Sequence, residues 1–137
     1  MKLTPDLSPD FSVDVTSESG VAWLALRGEL DIAGTDLVVE PIATFEREGV
    51  SSIVLDLRDL TFIDASGLHT ILDARRRAEA NGHQLRVVGV SRAPRRVFEI
   101  TRTEFLIDDT EVFSELDRSV GGPLSELAGL PVGIEDV

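Results

Sequence analysis

The first strand-like segment of the chain alternates apolar and polar positions. One polar residue separates each of Phe11, Val13 and Val15, which is the two-residue period of a half-buried β-strand. Turn-forming residues follow at 17–20, and a mostly apolar run occupies 21–26. Two short strands joined by such a turn predict a β-hairpin at the start of the fold.

Beyond the hairpin, the pattern changes between helical spacing and the short apolar runs of strands. Predicted helices cover residues 34–48, 66–81, 94–101 and 111–120, and predicted strands cover residues 53–57, 85–90 and 105–107. Gly49 and Gly82 are the expected stops of the first two helices. Pro41 removes a backbone N–H inside the first helix, which predicts either a kink or a later helix start.

The order of these elements indicates the fold class. The run from Ile53 to Leu57 is apolar except at Asp56, as a strand covered on both faces requires, so we place it near the sheet centre. Strands that alternate with helices favour parallel pairing through crossover connections, whereas a hairpin is antiparallel. We therefore predict an α/β fold built on a small mixed β-sheet.

Length and composition indicate one small domain with two terminal extensions. The 137 residues suffice for a single core. We assign residues 1–10 to an N-terminal segment, 11–120 to the domain and 121–137 to a flexible acidic tail, which has glycines, prolines and no basic residue. The chain has no cysteine, no run long enough to span a membrane and no secretory signal pattern, so we expect a cytoplasmic protein without membrane association.

Charge argues against a nucleic-acid partner. The chain has 25 acidic and 13 basic side chains, a formal net charge of −12, which repels a polyanion. The one basic cluster, residues 75–77, is flanked by Asp73 and Glu79, and three consecutive helical residues fan around the axis. We therefore predict a solvated helix face there, and a monomer because no apolar helix stripe is left over for self-association.

The candidate chemistry lies in the sequence Asp64-Ala65-Ser66-Gly67-Leu68, between a strand pattern and a helix pattern. Ser66 is predicted to be the N-cap of the second helix, with its side-chain oxygen accepting a bond from a free N–H of the first turn. A phosphate on Ser66 would meet the positive end of the helix dipole, and Gly67 would permit close backbone approach. The sequence thus predicts a site for a removable charge.

Three segments, in this order, resemble the STAS domain of bacterial anti-sigma factor antagonists. They are Gly28-Glu29-Leu30-Asp31, Ile53-Val54-Leu55-Asp56-Leu57 and Asp59-Leu60-Thr61-Phe62-Ile63-Asp64-Ala65-Ser66-Gly67-Leu68. The resemblance extends from Phe11 to Leu116 and implies a STAS-like α/β fold, with helices packed on one side of a small mixed β-sheet. It also implies that Ser66 is the phosphorylated residue, that Ala65 replaces a second serine common in relatives, and that Asp31 borders the serine loop.

The resemblance implies a binding module and not an enzyme. In the unphosphorylated state the domain is expected to bind an anti-sigma factor serine kinase and release a sigma factor. The expected contact surface consists of Asp31, Asp64, Ala65, Ser66, Gly67 and Leu68. Phosphorylation adds a charge of about −1.5 to −2 and is expected to abolish binding through desolvation and repulsion. The chain lacks a Gly-x-x-x-x-Gly-Lys-[Ser/Thr] loop, so the anti-sigma factor itself would be the kinase, and a separate phosphoserine phosphatase would reset the site.

Two alternatives are open at the level of sequence. The same fold can serve as a regulatory or scaffold domain in a larger signalling complex, or as a weak nucleotide binder. A hydrolase with Ser66 as nucleophile is the other class, but the glycine that a nucleophile elbow needs two residues before the serine is Asp64 here. No acid is placed to orient His69 or His83, and neither histidine has further ligands at a metal spacing, so we predict no catalytic triad and no metal or cofactor site.

Overall fold

The structure, a computed structural model, describes residues 10–109. Most of the predicted N-terminal segment, the predicted helix at 111–120 and the predicted tail at 121–137 lie outside the described residues.

The predicted hairpin is confirmed. Strands β1 (Phe11–Glu18) and β2 (Val21–Leu30) pair antiparallel. Ser19 and Gly20 connect them with φ angles of 55° and 81°. Two consecutive positive φ values are those of a type I′ turn, which matches the twist of the flanking strands. The connection is shorter than predicted, because residues 17 and 18 belong to β1.

The rest of the described chain alternates helices and parallel strands. The elements are α1 (Thr35–Glu48), β3 (Ser52–Ile63), α2 (Ala65–Asn81), β4 (Gln84–Val88), α3 (Arg92–Ile100), a 3₁₀ turn (Glu104–Leu106) and β5 (Ile107–Asp108). Within residues 10–109 the sheet has the order β1-β2-β3-β4-β5, with parallel pairing from β2 onwards. The predicted mixed sheet is therefore confirmed, and β3 is its central strand as expected.

Several predicted boundaries are wrong. Strand β3 continues six residues beyond Leu57, because it keeps pairing with β2 through two register shifts. The chain reaches β5 through a 3₁₀ turn, so β5 begins at Ile107 and not at Phe105. Helix α1 contains Pro41 and still begins at Thr35, so a later start is excluded.

The helices pack on one face of the sheet. The main core cluster joins this face of the strands to buried side chains from all three helices, which include Val38, Ile42 and Phe45 of α1, Leu68 and Ile71 of α2, and Phe98 of α3. Trp23, Val54 and Val88 form a separate cluster on the opposite face, to which none of these helices contributes. The arrangement confirms the predicted fold class.

Strands β2, β3 and β4 end at the same side of the sheet, because they run parallel. We call this side the carboxyl edge and define it by the residues that follow these strands, Asp31, Asp64 and Gly89. Helices α1 and α2 begin there. In open α/β sheets the carboxyl ends of parallel strands are the usual place for binding sites.

Candidate functional site

Ser66 lies in the first turn of α2, but it is not the N-cap. The cap is Asp64, which follows β3 with an extended backbone and whose Oδ1 accepts a hydrogen bond of 3.1 Å from the Gly67 N–H. The Ser66 hydroxyl donates to the same Oδ1 at 2.7 Å. The predicted capping role of Ser66 is therefore wrong, because the strand extends to Ile63 and leaves the aspartate at the capping position.

The Ser66 hydroxyl also determines the electrostatics of the cap. Its hydrogen bond is the largest cause that lowers the pKa of Asp64 below the ordinary 3.8, and the N–H groups of Gly67 and Ser66 act in the same direction. Partial burial raises the pKa and opposes them. Asp64 is therefore ionised at neutral pH, and a negative charge already occupies the helix N-terminus beside Ser66.

Ser66→Ala is expected to destabilise the fold by about 1 kcal/mol at pH 7, because it removes one hydrogen bond to a half-exposed carboxylate. In the variant, the pKa of Asp64 should rise towards its ordinary 3.8. A lowered folded-state pKa stabilises above the unfolded-state pKa, and this contribution disappears as pH falls through the folded-state value. The difference between wild type and variant should therefore shrink below about pH 4. Urea unfolding at pH 7 and pH 3 measures the free energy of unfolding of both proteins, and NMR titration follows Asp64. If Ser66→Ala loses the same stability at both pH values, the hydrogen bond from Ser66 to ionised Asp64 is not the cause.

The structure separates the predicted contact residues into exposed and buried ones. Ala65 is exposed, whereas Asp64 and Ser66 are half-buried. Gly67 and Leu68 are buried, and a Cβ on Gly67 would lie 2.8 Å from Leu30 Cγ, inside the core. Gly67 and Leu68 therefore anchor α2 against the strands, and their predicted part in the contact surface stays a prediction.

Asp31 stands at the carboxyl edge next to the Ser66 loop. Its neighbour Leu30 pairs with Ile63, and the Leu30 carbonyl accepts a hydrogen bond of 3.2 Å from the Asp64 N–H. The Asp31 carboxylate accepts from the Ala33 N–H at 3.0 Å and so orders the turn into α1. Adjacent strand ends thus place Asp31 and Asp64 on the same part of the surface.

The geometry gives no support to a serine hydrolase. Ser66 donates to a carboxylate and not to an imidazole. His69 contacts Asp73, with 3.3 Å between Nε2 and Oδ2. The side chain of His83 is mostly buried, with its Nε2 4.0 Å from Glu46 Oε2. A nucleophilic serine needs a base within hydrogen-bond reach, and neither histidine is placed as that base.

The basic cluster on α2 is paired with acids. Arg75 contacts Glu79, Arg76 contacts Asp73 and Arg77 contacts Glu46, each with a nitrogen–oxygen distance of 3.1 Å.

None of the helices between residues 10 and 109 has the length and apolar character that a bilayer crossing needs. Over the same residues, no group of three or more histidine, aspartate or glutamate side chains is arranged to hold a metal ion.

Sequence reasoning did not find the apolar side chains that surround this edge. The large side chains of Ile32, Leu37 and Phe62 are exposed. Leu37 and Phe62 are each followed in the sequence by a residue that is buried in the core. An apolar residue in a sequence does not reveal which face it occupies. The sequence offered one signal. Successive side chains of a strand point to opposite faces of the sheet, so Phe62 and the core residue that follows it cannot both face the core.

Comparisons with known proteins agree with this architecture. The STAS domain family profile matches residues 12–119. An anti-sigma-B factor antagonist of Staphylococcus aureus is 24% identical over 102 residues, which cover 74% of this chain and 94% of that protein. Among solved structures, the anti-sigma factor antagonist SpoIIAA in its unphosphorylated form has a TM-score of 0.67 at 23% identity, covering 80% of this chain and 97% of that one. An anti-sigma factor antagonist from Mycobacterium paratuberculosis has a TM-score of 0.66 at 18% identity, covering 87% and 96%.

Proposed function

Because the chain belongs to the STAS domain family, we propose that it is an anti-sigma factor antagonist controlled by phosphorylation of Ser66. In this proposal, the unphosphorylated domain binds an anti-sigma factor through the carboxyl edge of its sheet and thereby releases a sigma factor. The observation that carries the proposal is the placement of Ser66: a half-exposed hydroxyl in the first turn of α2, beside exposed Ala65 and hydrogen-bonded to the capping carboxylate. The name of the Staphylococcus aureus relative supports the same role.

The hydrogen bond between Ser66 and Asp64 explains how a phosphate would act. The unmodified hydroxyl donates to Asp64 Oδ1 at 2.7 Å. A phosphate ester on Ser66 Oγ has no proton to donate there, and it brings a charge of about −1.5 to −2 next to a carboxylate. The two groups repel each other and compete for the N–H groups of the helix. The loop must therefore rearrange, or the phosphate must point out towards the partner.

Either response weakens a contact made at this surface. A phosphate that points outward must be desolvated when the partner binds, and a rearranged loop no longer presents the same shape. Phosphorylation itself needs a nucleotide-binding kinase, in which the Ser66 oxygen attacks the terminal phosphorus of ATP, ADP leaves, and the hydroxyl proton passes to a base. This chain has no Walker-type loop, so we assign the kinase activity to the anti-sigma factor and the reverse step to a phosphoserine phosphatase.

A release assay tests the proposed function. The purified domain is added to a preformed complex of a sigma factor and the serine-kinase anti-sigma factor from the same organism, without ATP, and the species are separated by size. We expect free sigma factor to appear as an antagonist–anti-sigma complex forms. Ser66→Asp, added at the same concentration, should release much less. A sigma complex that persists in molar excess of wild-type domain would contradict the proposal, as would incorporation of the domain into a megadalton assembly.

A further inference from the structure

A cavity lies beside α2, over the edge of the sheet that β4 and β5 form. It has a volume of about 780 Å³ and is bounded by the C-terminal half of α2, by β4 and by residues 105–109. We call it the β5 groove. Six of the residues that line it define it here: Arg75, Ala78, Leu85, Phe105, Ile107 and Asp109.

The floor of the β5 groove is apolar and belongs to the face of the sheet that carries the helices. Leu85 of β4 and Ala78 of α2 are part of the main core cluster, and Ile107 of β5 packs against it. At one end of the groove, Phe105 is 66% exposed. The apolar face of a sheet is normally covered by another layer, but between residues 10 and 109 no helix fills the groove.

The charged side chains at the rim of the groove are paired with each other. Arg75 Nε lies 3.1 Å from Glu79 Oε2, and Arg86 Nη2 lies 2.8 Å from Asp108 Oδ2. Ion pairs of this kind satisfy the charges of the rim before any ligand arrives. The groove therefore favours an apolar occupant over a charged small molecule.

The chain that follows β5 supplies such an occupant. The described residues end at Asp109, which lines the groove, so the next segment starts at its rim. The sequence predicts a helix at 111–120, whose apolar residues fall within an arc of about 100° on one face. These residues are Val112, Phe113, Leu116 and Val120.

The groove and the predicted helix also agree in length and direction. The groove extends from Gln84, the first residue of β4, to Asp108, which pairs with the last residue of β4. Five strand residues span about 17 Å, and ten helical residues span about 15 Å. A helix that follows a parallel strand packs back along the sheet, so this helix would run parallel to α2.

We propose that residues 111–120 form a helix that occupies the β5 groove, with its apolar face on the floor and against the C-terminal half of α2. The match of the STAS profile continues to residue 119, which supports a domain that includes this segment. The segment then stabilises the end of α2 opposite to Ser66. The inference is independent of the proposed function, because it involves no partner protein.

Spin labels test the location of the segment in the full-length chain, which has no cysteine of its own. Glu79→Cys places a label at the rim of the groove. Asp14→Cys is the control, because Asp14 lies on β1 at the far edge of the sheet and pairs with Ala25, which packs against the cluster of the opposite face. We expect the label at position 79 to attenuate the NMR amide signals of residues 112–120, and the label at position 14 to leave them unchanged.

Two results of the labelling experiment would overturn the proposal. The first is that the signals of residues 112–120 are unaffected by the label at position 79, or are attenuated equally by both labels. The second comes from a mixture in which isotope-labelled wild type is observed beside spin-labelled Glu79→Cys without isotope. Attenuation in this mixture would show that the segment of one molecule binds the groove of another.

Thermal unfolding of two leucine variants tests whether the segment is buried. Leu116→Ser should lower Tm by about 6 °C or more, because it removes a side chain from the apolar face that covers the groove. Leu127→Ser makes the same substitution beyond the predicted helix and should leave Tm within about 2 °C of wild type. Equal melting temperatures for the two variants would overturn the proposal and leave the proposed function untouched.

Discussion

Ser66→Asp is expected to weaken binding of the anti-sigma factor by about 10- to 100-fold, because a fixed charge then faces the partner beside the Asp64 carboxylate. Ser66→Ala should bind with nearly wild-type affinity, since it adds no charge to the surface, and should accept no phosphate. Ser66→Asn is the matched control, because it has the size of aspartate without the charge. Titration of the three variants against the same partner measures the effect.

The Asp and Asn variants separate charge from shape. If Ser66→Asn loses as much affinity as Ser66→Asp, the size of the side chain and not its charge disturbs the contact. Stability must be measured in parallel, because Asp64 is the cap and a second carboxylate in the first turn repels it. The added charge of Ser66→Asp still interacts favourably with the helix dipole, and Ser66→Asn adds no charge. We therefore expect both variants to stay folded.

Gly28→Ala is expected to destabilise the fold by about 3 kcal/mol or more, the largest effect on stability of any change considered for this chain. Gly28 has a φ of +92°, and a Cβ there would lie 2.0 Å from the backbone oxygen of Asp10. The adjacent Glu29 N–H donates to that same oxygen at 2.7 Å, so the two backbone segments cannot separate without losing a hydrogen bond. Urea unfolding of the full chain measures the change.

Gly49→Ala is the control for this prediction. Gly49 ends α1 with a φ of +77°, but nothing lies within 4 Å of the position of its Cβ. The variant therefore has the unfavourable left-handed backbone without the collision, and about 1 kcal/mol is expected. Equal losses for Gly28→Ala and Gly49→Ala would show that the close approach of Asp10 is absent in solution.

The spacing of apolar residues predicted those helices and strands whose ends are determined by residues nearby in the sequence. The stop of α1 was predictable because Gly49 adopts the left-handed conformation that glycine favours, and the stop of α2 at Gly82 follows the same rule. The hairpin was predictable because a short turn connects two apolar segments. Such signals lie within a few residues of each other, so no knowledge of distant contacts is needed.

The extension of β3 was not predictable from local sequence. Arg58 and Asp59 suggest the end of a strand, yet in the fold Arg58 Nε donates to Asp56 Oδ1 at 3.0 Å and Asp59 contacts Arg27. These pairs let charged residues remain in the central strand, and only the tertiary structure provides them. The same extension determined which residue caps α2, since serine and aspartate are equally good caps and the strand end selects Asp64.

The role of Gly28 within the Gly-Glu-Leu-Asp segment was also hidden in the sequence. The resemblance gave the segment as a marker of the family, and the structure supplies the physical reason: β2 shifts register at this point and a neighbouring backbone lies against the glycine. Gly34, a few residues further on, also lies against another part of the chain. A Cβ there would lie 2.8 Å from the ring of Phe11, and Thr35 donates its hydroxyl to the Ile32 carbonyl.

Phosphorylation followed by binding tests the central claim most directly. The domain is incubated with the serine-kinase anti-sigma factor and ATP, the modified residue is located by mass spectrometry, and the purified phosphorylated form is titrated against fresh partner alongside the unmodified form. We predict a single phosphate on Ser66 and an affinity at least 100-fold lower than that of the unmodified domain. Phosphate on another residue, or a Ser66-phosphorylated domain that binds as tightly as the unmodified one, would contradict the account.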